Sequence, residues 1–536
     1  MKNTDIFSSY DMVVSIKEDV INQQLIDLQN LDDAERCIPS RLAVVAQHAE
    51  DGSTTYQILE GDAQPPEISS NPKENTFSYI DGTFEPSIYI PKSGGEVSFR
   101  MTFRGGNAAL WSGPIWAPKL DTYSMAGWKY GVGVNLDLQN LGEDGVRKLP
   151  QPVADQLSKF TDDMFQVRHL FVDFQTAQLI NWDPDFTIVQ GSKDAGLTTQ
   201  FATLLGGYLR QMKSANNPYV LGYAPPGTAL KTSGNVPDGL LPTGTTFTMY
   251  HDKRDPTLNA VNFVLVTKLR GKKISGSPQI FDTSWLTGKE QGGARMTVGF
   301  ADLVEPLILK PVYDGLRTQI HQQLSGHVNV EEGNEYKDGI KATGTGYSFT
   351  ISDVTTGDDQ YKNTFDVSFK QDSGKAVVSL SGTVMAYKET TKHELTCTAK
   401  TWHTVTVDWN GTVTLAPPEK DAEGRPTITV SHDFSHTVKN EPGSNDCANS
   451  YKWIDLFAEA MNPLAMAIDA LMGGDILKSI LDDVPEIGDL QTAMATFGDT
   501  ISGTVVLPAG RVFSFGAVDI DGQGNVSLEL TYKGEH

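Results

Sequence analysis

The chain has 536 residues, 39% of them hydrophobic, so it is long enough for two or three domains with apolar cores. Its 67 acidic and 43 basic residues give a formal net charge of -24, which repels nucleic acids and anionic membranes over most of the surface. We therefore expect no nucleic acid partner, and any membrane contact should be peripheral and confined to a local patch.

Cysteine content and the first residues bear on where the protein resides. Cys37, Cys397 and Cys447 are too few for a disulfide framework, although a bridge between Cys397 and Cys447 stays open. The first twenty residues contain no apolar signal core, and no run of about 18 apolar residues occurs. We expect a soluble protein that is either cytoplasmic or released without a conventional signal peptide.

The first predicted element is an amphipathic helix in DMVVSIKEDVINQQLIDL, residues 11–28. Val13, Ile16 and Val20 fall on one side of this helix, and Ser9 or Asp11 can cap its start. The apolar stripe is wide, so the helix needs a broad apolar surface to pack against.

Alternating and helical patterns follow in the first half of the chain. EVSFRMTFRG (96–105) and VGVNLDLQNL (132–141) alternate apolar and polar residues, which predicts half-buried antiparallel strands. Residues 194–214 predict a second amphipathic helix, and residues 241–268 predict a hairpin.

The same order of elements then starts again. Residues 300–324 predict a helix with Leu307, Leu316 and Ile320 on its apolar side and a kink at Pro311. Long strands with tight turns follow, then an apolar, methionine-rich helical region that suits either a core or a ligand seam, and finally a second hairpin.

A repeated phrase connects the two hairpins. LPTGTTFTM (241–249) and LPAGRVFSF (507–515) share Leu-Pro-x-Gly-x-x-Phe, and AVNFVLVTK (260–268) then aligns with NVSLELTYK (525–533). A repeat of about half the chain length predicts two homologous domains, residues 1–288 and 289–536.

This order predicts an α+β protein in which each domain cradles long helices in a strongly curved antiparallel sheet. A seam between helix and sheet can admit an elongated apolar ligand, although a fully packed core has the same sequence pattern. The candidate positions facing this seam are Val13, Ile16, Val20, Leu307, Leu316 and Ile320.

The early helix, the duplicated unit and the closing segment VLPAGRVFSFGAVDIDGQGNVSLELTYK together resemble the tubular lipid-binding (TULIP) superfamily. Within it the chain is most similar to the bacterial branch of OrfX proteins and the forty-seven-kilodalton protein encoded beside botulinum neurotoxin genes. The resemblance implies a helix wrapped in a curved sheet, an apolar groove, lipid binding and a toxin-associated role. It implies no catalytic residues and no cofactor.

One segment imitates a calcium-binding loop. In DIDGQGNVSLEL (519–530), Asp519, Asp521 and Gly524 fall where an EF-hand loop has them. Leu530 occupies the twelfth position, where a bidentate carboxylate is needed, and no helices flank the segment. A glycine-rich hairpin turn is therefore the favoured interpretation.

Other candidate motifs also favour structural explanations. HELTC (393–397) has the spacing of a zinc-protease motif, but Cys397 stands where histidine belongs and the flanking residues predict strands. His432 and His436 should share one strand face without an identifiable third ligand. We therefore predict no metal site, no catalytic residues and no enzymatic activity.

A predicted loop contains tryptophans that either form a contact surface or are buried. The segment 104–131 is rich in Gly, Pro and aromatic residues, and it either exposes Trp111 and Trp116 to a partner or a bilayer interface or buries them. The favoured function is noncatalytic binding of a lipid or another apolar molecule. The alternative is an interaction or scaffold component of a toxin or secreted complex, with closed grooves and a protein partner.

Overall fold

The computed structural model describes residues 6–31, 38–113, 117–177, 182–190, 195–210, 218–225, 237–274, 285–288, 290, 292–326, 330–393, 396–420, 426–450, 505–510 and 513–532. These residues form three antiparallel sheets with helices packed on them, one sheet being a curled half-barrel, so the α+β class is confirmed. No helix in these ranges combines the length and the apolar character needed to cross a membrane.

The strands are β1 (Met12–Lys17), β2 (Arg41–His48), β3 (Thr54–Ile58), β4 (Phe77–Tyr89), β5 (Glu96–Ser112), β6 (Lys119–Ser124), β7 (Lys129–Asn140), β8 (Arg168–Asp173), β9 (Val220–Ala224), β10 (Pro242–Tyr250), β11 (Ala260–Thr267), β12 (Ala294–Val298), β13 (Ile340–Ala342), β14 (Gly346–Thr356), β15 (Asp359–Asp372), β16 (Lys375–His393), β17 (Thr398–Lys420), β18 (Pro426–Ser444), β19 (Phe513–Ile520) and β20 (Val526–Tyr532). The α-helices are α1 (Ile6–Ser9), α2 (Glu18–Gln29), α3 (Gly142–Arg147), α4 (Gln151–Phe160), α5 (Ala195–Leu209), α6 (Lys310–Leu324), α7 (Tyr336–Gly339) and α8 (Asp446–Ser450). Short 3-10 turns lie at Pro72–Glu74, Met164–Gln166, Phe174–Thr176, Asp238–Leu240, Pro256–Leu258 and Phe300–Asp302, and a π-helical turn lies at Glu305–Leu309.

The central sheet contains both predicted hairpins. Its strand order is β10-β11-β1-β12-β20-β19, so the hairpins share one sheet and flank β1 and β12. Val14 of β1 lies opposite Phe263 of β11, and Met296 of β12 lies opposite Leu528 of β20. Val14 and Met296 also lie opposite each other. The two halves of this sheet are therefore related by an approximate two-fold axis between Val14 and Met296.

The prediction of a helix from residue 11 is wrong for its first part. Residues Met12–Lys17 form β1, and the helix α2 begins only at Glu18. β1 lies in the middle of the central sheet and is buried on both faces, so its apolar residues do not alternate. Asp11 is consequently not a helix cap, because it precedes a strand.

The N-terminal sheet has the strand order β3-β2-β4-β5-β7-β8-β9, with β6 paired to β5. The predicted strands at 96–105 and 132–141 are confirmed as β5 and β7, and the helix predicted at 194–214 is confirmed as α5. α5 packs on β2, β3, β4 and β5. α2 packs on β4, and Asn22 holds it there through two hydrogen bonds to the backbone of Ile88, 2.9 and 2.7 Å long.

The C-terminal sheet is a meander in which β13 to β18 follow one another in chain order. α6 packs against β14, and the Asn363 side chain of β15 donates to the carbonyl oxygen of Leu316 at 3.1 Å. The irregularity predicted at Pro311 takes the form of the π-helical turn just before it, where Lys310 N donates to Glu305 O. Pro311 has no N–H to donate, which favours this local widening.

The three sheets share one large core. A single cluster of buried apolar side chains includes residues of α2, α5, α6 and all three sheets, and β19 packs across the strands β15 to β18. A disulfide between Cys397 and Cys447, with Cα atoms 6.1 Å apart, joins the residue before β17 to α8, just beyond β18. Cys37, Trp116 and the predicted helical region 452–497 lie outside the described residues.

Candidate functional site

The structure separates two of the positions predicted to face one ligand seam. Val13 and Ile16 lie on β1, three residues apart, so their side chains point to opposite faces of the central sheet. Val13 packs in a small cluster with Phe7, Val264 and Trp285, whereas Ile16 belongs to the large core. Both side chains are fully buried.

The other four predicted positions lie on helices. Leu316 and Ile320 are one turn apart on α6 and are buried in the core. Val20 on α2 and Leu307 on the π-helical turn are only half-buried and pack against the edge of that core. Of the six positions, Val20 and Leu307 are thus the ones nearest to solvent.

A row of aromatic rings crosses the inner face of the C-terminal sheet, the face on which α6 packs. Phe349 and Phe365 lie opposite each other and stack with ring centroids 4.3 Å apart. Gly382 of β16 is opposite both Phe365 and Trp409, and a Cβ atom there would lie 2.5 Å from the indole ring. The absence of a side chain at Gly382 lets Trp409 reach Phe365, with centroids 5.9 Å apart. The rings thus form one apolar surface across four strands.

The apolar surface becomes partly accessible at β18. Phe434 continues the row, with its ring centroid 6.2 Å from that of Trp409, but it is only half-buried. Val430 and Val438 lie on the same face of β18 and are also half-buried, whereas Ser435 on the opposite face is exposed. The inner face of the sheet therefore ends in a strip of apolar residues that water reaches, with His432 and His436 between them.

A buried cluster of charges lies at one end of the central sheet. Asp11 and Asp302 are fully buried; the backbone N–H of Thr267 donates to Asp11 at 2.7 Å, and its hydroxyl donates to Asp302 at 3.0 Å. The Lys272 ammonium pairs with Asp11 at 2.7 Å, and Arg270 lies 3.7 Å from Asp11 and 3.9 Å from Asp302. Two carboxylates are thus balanced by two cations at the start of β1 and the end of β12.

Burial raises the pKa of Asp302 to about 7, and the neighbouring charge of Asp11 adds to this rise. The hydrogen bond from Thr267 and the attraction of Arg270 and Lys272 oppose it. Asp302 is therefore protonated in part of the molecules at neutral pH. Sequence reasoning missed this cluster, because Asp11 was interpreted as a helix cap and the other members are far from it along the chain.

The segment that imitates a calcium loop is a hairpin turn between β19 and β20, as predicted. Asp521 Oδ1 accepts hydrogen bonds from the backbone N–H groups of Gln523 and Asn525, at 2.9 and 3.0 Å. Asp519 pairs instead with Arg295 at 2.6 Å. The carboxylates that a metal ion would need are thus occupied by the turn and by an ion pair.

The remaining motifs are also part of the sheets. Cys397 of the HELTC segment is bonded to Cys447, so it carries no free thiolate. His432 and His436 lie on the inner face of β18, on either side of Phe434. The described ranges contain no group of three His, Cys, Asp or Glu side chains placed to hold a metal ion.

The segment 104–131 is largely strand, in β5, β6 and the start of β7; Trp128 is buried, and Trp111 is half-buried at the end of β5. Its backbone N–H donates to the Gln200 side chain and its carbonyl accepts from it, both at 2.8 Å. This pair of bonds fastens α5 to the edge of the N-terminal sheet. Trp111 therefore has a structural contact on its backbone while its ring keeps partial access to solvent.

Comparison with known proteins was made on both sequence and structure. No family model matches the sequence, and no curated protein sequence matches it. Several solved structures match the chain. P47 of Clostridium botulinum E1 is 10% identical over 98% of this chain and 99% of its own, with a TM-score of 0.46. P47 from Clostridium botulinum A2 is 12% identical over 97% of each chain, with a TM-score of 0.39. A lipopolysaccharide binding protein is 9% identical over 98% of this chain and 100% of its own, with a TM-score of 0.32.

Proposed function

We propose that the protein binds a lipid or another apolar molecule, without chemical conversion, between its helices and the inner faces of its sheets. The half-buried apolar strip Val430, Phe434 and Val438 carries this proposal, because it continues the buried aromatic row out to solvent. Val20 and Leu307 are further half-buried positions at the margin of the same core. An elongated ligand would lie along such a margin.

The driving force would be the removal of apolar surface from water. Each methylene group of an acyl chain that is buried contributes about 0.8 kcal/mol. Flat aromatic side chains such as Phe434 and Trp409 offer large contact areas to such a chain. The acidic net charge of -24 favours a neutral or zwitterionic lipid over an anionic one at the surface of the protein.

Native mass spectrometry of the purified full-length protein, followed by organic extraction and lipid analysis, tests this proposal. We expect a copurified apolar ligand, or uptake of an offered fatty acid or phospholipid, in the wild type. Phe434→Glu should reduce uptake about tenfold or more, because it places a charge on the apolar strip. Ser435→Glu, on the opposite face of the same strand, should leave uptake unchanged.

Two results would contradict the proposal, one for lipid binding itself and one for the strip on β18. One is a wild-type protein that carries no ligand and takes up no offered lipid. The other is equal uptake by Phe434→Glu and Ser435→Glu variants that both keep the circular dichroism spectrum of the wild type. The second result would remove the strip on β18 from the proposal.

A scaffold role in a toxin or secreted complex is the second candidate. Its support is that Val13, Ile16, Leu316 and Ile320 are fully buried, as they would be in a protein with closed grooves. A toxin-associated role rests on the resemblance in the sequence. A lipid-free chain that forms a stable complex with the product of a neighbouring gene would favour this candidate.

Release from the cell and a division into two domains are further proposals. The bond between Cys397 and Cys447 supports release, because disulfides persist in oxidising compartments. The approximate two-fold axis of the central sheet supports a duplication with units 1–288 and 289–536, although β1 and β12 pair across the boundary. Separate expression of the two units would test the division: units that each fold would support it.

A further inference from the structure

A cleft of about 420 Å³ opens at the end of the central sheet that holds the buried charges. It lies between that sheet and the turn that joins β13 to β14. Its lining combines three aromatic residues, one guanidinium group and two glycine-containing turns. The residues used below are Phe7, Arg270, Phe300, Tyr347, Gly522 and Asn525.

One wall of the cleft is aromatic. The rings of Phe300 and Tyr347 stack with centroids 4.6 Å apart and an interplanar angle of 16°. Phe369 packs edge-on against Phe300 at 6.1 Å. The backbone N–H of Phe300 donates to the Asn525 side chain at 2.9 Å, which ties this wall to the β19–β20 turn. Ring packing and this hydrogen bond therefore hold the wall in place.

The guanidinium group of Arg270 supplies a positive charge at the cleft. Its side chain is 32% exposed, and its Nη1 atom donates to the carbonyl oxygen of Phe7 at 2.9 Å. Its ion pairs with Asp11 and Asp302 are long, at 3.7 and 3.9 Å, whereas Lys272 takes the close contact with Asp11. Within the described part of the chain, the other nitrogens of Arg270 make no hydrogen bond, so they are available to a ligand.

The net charge behind the cleft depends on the protonation of Asp302. Arg270 and Lys272 face Asp11 and Asp302, and burial raises the pKa of Asp302 to about 7. When Asp302 is protonated, the cluster carries one uncompensated positive charge. The Glu305 carboxylate also attracts the Arg270 guanidinium. This carboxylate is hydrogen-bonded to Tyr336, and burial raises the pKa of Glu305. A monovalent anion suits this balance better than a divalent one.

We propose that this cleft binds a small monovalent organic anion, a carboxylate or sulfonate on a flat apolar body, with the anionic group on Arg270 and the body against Phe300 and Tyr347. A guanidinium group matches the two oxygens of a carboxylate and binds them through paired hydrogen bonds. This site is separate from the strip on β18, so it does not depend on the proposed lipid binding.

Isothermal titration of the full-length protein with 2-naphthoate tests the proposal, and 2-naphthamide serves as the uncharged control. We expect one naphthoate per chain and at least about tenfold weaker binding of the amide. Arg270→Gln should weaken naphthoate binding about tenfold or more. Arg254→Gln, in the exposed turn of the first hairpin, should leave binding unchanged.

A second variant reduces the space in the cleft and leaves the charge of Arg270 unchanged. A Cβ atom at Gly522 would meet no atom within 4 Å, so Gly522→Leu should fold and add bulk to the lining of the cleft. We expect it to weaken naphthoate binding about tenfold or more while lipid uptake stays as in the wild type. The proposal is overturned if the wild type binds no naphthoate, if the amide binds as well as the acid, or if folded Arg270→Gln and Gly522→Leu proteins both bind like the wild type.

Discussion

Replacing Asp302 by asparagine should stabilise the protein at high pH and have a smaller or opposite effect at low pH. Asp302 is fully buried beside Asp11, and burial raises its pKa from 3.8 to about 7. In the unfolded chain the same carboxyl group ionises near its ordinary pKa. As the pH rises from about 4 to about 7, the unfolded chain therefore releases this proton before the folded protein does. Stability that is present below the unfolded pKa is lost as the pH rises through the folded pKa.

The size of the loss follows from the two pKa values. The difference between 3.8 and about 7 corresponds to about 4 kcal/mol in the free energy of unfolding. Arg270 is 32% exposed and can move closer to an ionised Asp302, which reduces the loss. We expect about 2 kcal/mol. An asparagine keeps an oxygen that can accept from Thr267 and never ionises, so the variant should not show this loss.

Urea unfolding of the wild type and Asp302→Asn at about pH 5 and about pH 8 measures the effect. The variant should gain about 1 kcal/mol relative to the wild type between the two pH values, because part of the loss has already occurred below about pH 5. Asp366→Asn, on the exposed face of β15, is the control and should show no such gain. If Asp302→Asn changes stability equally at both pH values, the reasoning that Asp302 is held protonated by burial is refuted.

Three further predictions concern the sheets. Gly382→Ala should lower the free energy of unfolding by about 1–3 kcal/mol in urea, because its Cβ atom would lie 2.5 Å from the Trp409 ring; unchanged stability would contradict the aromatic row. Cys447→Ser should lower the free energy of unfolding by about 2–4 kcal/mol, and a reducing agent should erase the difference from the wild type; a difference that persists would show that Cys397 and Cys447 are not bonded. Asp521→Ala should cost about 1 kcal/mol through lost turn bonds, and calcium should not raise the melting temperature of the wild type; a calcium-dependent rise would contradict the turn interpretation.

The strands with one solvent-facing side could be predicted from the sequence. β5 and β7 alternate apolar and polar residues, because one face packs on the core and the other faces water. The hairpins were predictable for a second reason, since the alternation occurs twice in related segments. The alignment of the two copies was less accurate: Phe247 lies opposite Phe263, but Val518 rather than Phe513 lies opposite Leu528. The turn of the second hairpin is shorter, and a β-bulge shifts its register.

β1 could not be assigned from local pattern. A strand buried on both faces loses its alternation, so MVVSIK followed by EDVINQQL reads as one continuous amphipathic helix. The position of β1 in the sheet depends on β11 and β12, which are far along the chain. Because the segment was predicted as a helix, Val13 and Ile16 were placed on one face. In the strand their side chains lie on opposite faces.

The cleft was beyond sequence reasoning for a related reason. Arg270, Phe300 and Tyr347 come from the ends of three different strands, and each is unremarkable in its own segment. A signal existed only for the buried charge, since Asp11 and Asp302 interrupt the apolar segments YDMVV and FADLV. A charge in such a segment indicates a buried partner without identifying it.

The approximate symmetry of the central sheet explains why one end, and not both, suits an anion. The two-fold axis that relates Val14 to Met296 also relates Glu18 to Phe300, because each lies the same number of residues further along the chain. Glu18 accepts hydrogen bonds from the backbone of Ile90 at 2.8 Å and from Asn259 at 3.1 Å, and burial raises its pKa. At this end Glu18 already takes the hydrogen-bond donors, whereas the equivalent position at the other end carries the aromatic ring of Phe300 near Arg270. A repeated scaffold with different residues at its two ends therefore predicts a single naphthoate per chain.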